Sequence, residues 1–122
     1  MGNYLPRILL AFSALILVVG GVMHAGAFKK MLRAVDASNL PVFYANSLKG
    51  LWLIDAATLL MLAVIFAIIA AQPALASKSV VILLAILPAA TAFFLYRFIG
   101  NFLPAHMLLA AAAAAFLAGL RL

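Results

Sequence analysis

The sequence predicts an all-α integral membrane protein built as an up-down bundle of four transmembrane helices. Three observations carry that prediction. Of the 122 residues, 70% are hydrophobic and only 8% charged, with a mean hydropathy of +1.34, whereas a soluble domain is about half apolar and about a quarter charged. The apolar residues also gather into four continuous runs, each close to the ~20 residues that cross a ~30 Å hydrocarbon core. Finally, the runs are separated by segments marked by Pro, Gly and charge, the first longer than the other two. A membrane barrel would need alternating rather than continuous hydrophobicity. The same composition excludes a disordered tail and an ordinary soluble enzyme. The chain has no Cys, which removes disulfides, thiolate zinc and iron–sulfur chemistry.

The first run covers about residues 5–28. Arg7, residues 8–19 and the triplet Ala25-Gly26-Ala27 resemble the parts of a secretory signal, but the run is long enough to be read as a spanning helix. Beyond it, Phe28, Met31, Leu32 and Val35 form one helical stripe with Lys29, Lys30 and Arg33 largely off it. The helix is therefore expected to continue along the interface to about residue 35 and to stop at Asp36-Ala37-Ser38-Asn39. Pro41 is expected to open a lead-in helix, with Phe43, Tyr44 and Trp52 anchored near the headgroups. The second span is expected at about 48–71. Gln72-Pro73 and Ser77-Lys78-Ser79 separate it from the third, about 80–99, in which Pro88 should produce a kink. Gly100-Asn101 and Pro104 introduce the fourth, about 103–120. The short second and third connections predict antiparallel neighbours, and residues 1–122 form a single domain. Helices in lipid associate through small residues. The expected packing faces are Ser13, Gly20, Gly21 and Ala25 in the first helix, and His106, Ala110, Ala114 and Ala118, at steps of four, in the last.

The formal charge of +6 comes from eight basic residues set against only Asp36 and Asp55. Most of the basic residues flank apolar runs and none forms a stripe with stacking aromatics, so a lipid bilayer is the expected partner and nucleic acid is not. Lys29, Lys30, Arg33, Lys49 and Arg97 belong to the first and third connections, against Arg7, Lys78 and Arg121 on the other side. The positive-inside rule then places both termini on one side, the non-cytoplasmic one.

Ionisable groups inside apolar helices are costly and mark sites by default. His24, Asp55, Arg97 and His106 all fall in the half of the bundle adjoining the first and third connections. Trp52, Asp55 and Thr58 share one helical face, and Phe94, Arg97 and Asn101 share another. The structural reading pairs Asp55 with Arg97 in the interior and satisfies each His on a backbone carbonyl. Other readings place a ligand among the same residues. His24, Asp55 and His106 match the 2-His-1-carboxylate donor set of Fe or Zn. The two His could instead ligate haem b, with Gly20 and Gly21 leaving room and Arg97 or Lys49 meeting a propionate. A quinone or lipid headgroup could sit among His24, Trp52, Asp55, Tyr96, Arg97, Asn101 and His106. Copper is suggested by Met23-His24 and His106-Met107, but adjacent helical residues diverge by ~100° and cannot easily share one ion.

In size and layout the chain resembles the small multidrug exporters. Their intramembrane glutamate has no counterpart, because this sequence contains no Glu; no residue role is carried over. Three function classes follow. The leading one is a non-catalytic subunit or helper of a membrane complex, its expected partners being copies of itself or the other chains of a larger assembly. The second is a redox or metal-binding protein centred on His24, Asp55 and His106, which if enzymatic would be a membrane oxidoreductase. The third is an oligomeric carrier or channel in which Asp55 titrates.

Overall fold

Through residues 3–122, which the computed structural model describes, the chain forms α1 (Leu5–Gly26), α2 (Phe28–Asp36), α3 (Val42–Ala71), a 3₁₀ turn at Pro73–Leu75, α4 (Lys78–Phe98) and α5 (Leu103–Arg121). There is no strand among the described residues; residues 1 and 2 of the expected domain lie outside them. Four helical stretches are long and apolar enough to cross a membrane, consistent with a multi-pass membrane protein. The first of them is α1 and α2 together, Leu5–Asp36. Across the irregularity at Ala27 the helical ladder persists, since the Ala27 amide donates to the Met23 carbonyl and the Met31 amide to that of Ala27. Phe28, Met31, Leu32 and Val35 turn inward along α2, while Lys29, Lys30 and Arg33 stay exposed.

The helix boundaries have local causes. Pro41 sits at φ −54° and ψ 147° as the residue before α3, a conformation that suits a proline introducing a helix. The expected lead-in helix and second span are one 30-residue helix, about 45 Å long at 1.5 Å per residue. Before α4, the Ser77 hydroxyl accepts from the Val80 amide at 3.3 Å, an ordinary N-cap. After α4, Gly100 takes φ +106°, a left-handed turn that a side chain would strain.

The close helix pairs are α1 with α3, α1 with α5, and α4 with α5, with α2 leaning on α3. Contacts between the start of one helix and the end of its neighbour make each close pair of long helices antiparallel. Although α3 and α4 are consecutive, they are not one of the closely packed pairs. A short connection fixes where two helix ends lie; the faces decide which helices pack. Here α1 offers the better faces. A Cβ on its Gly21 would lie 2.9 Å from Leu60 of α3, and its Ser13 hydroxyl donates to the Ala111 carbonyl of α5 at 2.8 Å in the core. Leu10, Leu17, Phe66, Val81, Ala111 and Ala115 form the centre of that core.

The expected ridge on the last helix needs correction. His106 and Ala110 are exposed, whereas Ala114 and Ala118 are buried. Steps of four advance about 40° past a full turn, so that row winds from the outer surface to the interior. The buried face of α5 is Ala105, Leu108, Ala111, Ala112, Ala114, Ala115, Ala118 and Gly119. Gly119 makes the tightest approach, since a Cβ there would lie 2.7 Å from Ile82 of α4. In α1, Ser13 and Gly21 are buried as expected, while Ala25 is exposed.

Candidate functional site

Near the end of α1, His24 faces the beginning of α3. Its ring stacks on Trp52 with centroids 4.2 Å apart and planes 12° apart. The backbone connects the same two residues in both directions. The Trp52 indole N–H donates to the His24 carbonyl at 2.7 Å, and His24 Nε2 lies 3.1 Å from the Trp52 carbonyl oxygen. A carbonyl can only accept, so Nε2 carries the proton. The same nitrogen is 3.3 Å from Asp55 Oδ2. Trp52 and Asp55 are three residues apart and so share a face of α3, which is why one imidazole reaches both.

Asp55 therefore pairs with His24 rather than Arg97. The inward face of α4 passes through Val81, Ala85, Pro88, Ala92 and Leu95. Two residues on from Leu95, Arg97 is rotated by about 200° and is exposed, with its guanidinium 5.6 Å from the centre of the Phe98 ring. Asn101 is also exposed. Lys49, the other expected cation, bonds to Asp36 at 3.1 Å and ties α2 to α3. His106 belongs elsewhere: its Nδ1 and the Tyr96 hydroxyl share a hydrogen bond of 2.6 Å between α5 and α4.

A cavity of about 360 Å³ opens beside the His24–Trp52–Asp55 cluster. All four long helices contribute to it, with Gly20, Leu59, Leu95 and Met107 among its apolar walls. His106 instead lines a shallower depression with Leu15, Val19 and Ala110, and the two hollows share Ile16 and Met107 as walls. The expected convergence of His24, Asp55 and His106 does not form. Among the described residues, no group of three His or Asp side chains is close enough to hold one metal ion. The two His line different hollows, so they do not present an axial pair to one haem. The cause is again angular: Ala105 takes the buried position on α5, and His106 is turned ~100° away from it.

Two further polar links lay outside the sequence expectations. Arg7 donates from Nε to the Ala70 carbonyl at 2.9 Å and from Nη2 to the Ala71 carbonyl at 3.2 Å, closing the end of α3 opposite His24. Ser13 reaches Ala111 as described. Arg7 reads in the sequence as a flanking charge, and nothing in its local pattern identifies the end of α3 as its target. The apolar cavity walls carry no sequence signal distinguishing them from lipid-facing residues. Comparison with protein-family models, curated proteins and solved structures gives no match.

Proposed function

We infer that the chain is a small multi-pass membrane protein acting as a non-catalytic subunit or helper of a larger membrane complex. The observation that carries this reading is the use made of the polar side chains within the long helices. Arg7, Ser13, His24 and Trp52 each bond to the backbone of a neighbouring helix, and no buried side-chain polar atom among the described residues lacks a partner. Polar groups used as interhelical links suit a scaffold. The connections, at residues 37–41, 72–77 and 99–102, are too short to add a domain for chemistry.

Photo-crosslinking in native membranes tests the reading, with a reactive residue placed in turn at the exposed positions Phe12, Val22, Leu83, Phe94, Leu109 and Phe116. The expected outcome is repeated capture of one other membrane protein from a subset of positions that share a face. Cross-links only between copies of this chain would overturn it in favour of an oligomeric carrier or channel. Cross-links only to lipid would overturn it in favour of an independent monomer.

A further inference from the structure

We propose that the cavity beside Asp55 is a binding site for a small lipophilic cation, an amphipathic molecule with a protonated amine head and an apolar body. The volume, about 360 Å³, lies within the range of small-molecule sites. Its walls are apolar except at the pole formed by His24, Trp52 and Asp55, so a ligand would be oriented with its head at that pole. The sign of the head follows from the charges present. Asp55 is the only acidic residue in the four apolar runs; the chain's other acid, Asp36, is held by Lys49. None of the chain's Lys or Arg residues lines the cavity. The one close polar neighbour of the Asp55 carboxylate among the described residues is the His24 imidazole. That imidazole already donates its Nε2 proton to a backbone carbonyl. A carboxylate can accept about four hydrogen bonds, and the Asp55 side chain remains 41% accessible. It is an acceptor with capacity left, at the mouth of an apolar cavity, and a hydrogen bond from a charged donor is stronger than one from a neutral donor. An ammonium supplies both the missing donors and the missing positive charge; an anion supplies neither.

Trp52 is the only tryptophan in the chain and lines this cavity, so its fluorescence reports directly on occupancy. The purified protein in lipid nanodiscs would be titrated with 4-phenylbutylamine, with 4-phenylbutanol, and with 4-phenylbutyrate as an anion of similar shape. The expected result is a saturable Trp52 response to the amine, at least about tenfold weaker binding of the alcohol, and no saturable response to the acid. Asp55→Asn should weaken amine binding by at least about tenfold, and Asp36→Asn should leave it unchanged. Gly20→Leu covers the case in which Asp55→Asn fails to fold. A Cβ at Gly20 meets only the Met107 methyl, at 3.8 Å, so the substitution fills the cavity without a backbone clash and should abolish the response. Equal responses to amine and acid, or amine binding unchanged in either Asp55→Asn or Gly20→Leu, would overturn the proposal.

Discussion

Arg7 shows what one side chain can do in this bundle. The last carbonyls of a helix have no intrahelical donors and carry the negative end of its dipole. Its guanidinium meets two of them at the end of α3. Arg7→Met keeps much of the apolar stem and removes both bonds, so thermal unfolding in detergent should show a loss of about 1–2 kcal/mol; an unchanged midpoint would mean that lipid or water replaces the cap. The candidate site was partly legible at this scale. Sequence reasoning placed His24 and Asp55 in one half of the bundle and Trp52 on the same helical face as Asp55, and the structure brings those three together. It mispaired Asp55, because a formal charge on Arg97 says nothing of its angle on α4. A difference of two residues from the partly buried Leu95 turns it outward. His106 was displaced for the same reason, one residue from Ala105.

At the scale of the helices, the four apolar runs and their Pro and Gly boundaries were readable because hydrophobic length and helix punctuation are local properties. Of the neighbours expected from the short connections, α4 and α5 pack closely and α3 and α4 do not, because packing depends on where two small residues face each other across a gap. The corrected faces make a contrasting prediction. Gly119→Leu must push α5 away from Ile82 and should destabilise the bundle by about 1–3 kcal/mol, whereas Ala110→Leu adds its side chain to an exposed position and should change stability by less than about 0.5 kcal/mol. Equal effects in a detergent unfolding assay would contradict the assignment of the buried face. The lead-in helix expected from Pro41 and the span expected from about residue 48 were read as two elements, where the structure has one helix, for another reason. Lys49, Ser47 and Asn46 interrupt the hydrophobic run, and hydropathy marks the span while helical hydrogen bonding continues through polar residues. The Ser47 hydroxyl, bonded to the Phe43 carbonyl at 2.7 Å, illustrates how such a residue is accommodated inside a helix.

For the whole molecule, four stretches long and apolar enough to span a membrane, with every close pair antiparallel, predict both termini on one side of it. Reporter fusions at the two ends should therefore give matching accessibility, and opposite accessibility would reject the four-span arrangement. The position of α1, with α3 on one flank and α5 on the other, has a consequence in time. As the chain is synthesised, α1 is made before α3 and is separated from it only by α2 and residues 37–41, so the His24–Trp52 link, 28 residues apart, can form before the later helices are made. The Ser13–Ala111 link spans 98 residues and must wait for nearly all of it. During that interval the flank of α1 that α5 covers is bare, and the Ser13 hydroxyl has no acceptor from α5. Any factor that shelters the helices before the bundle closes would have this flank of α1 to cover, and α5 is the element that covers it in the finished structure.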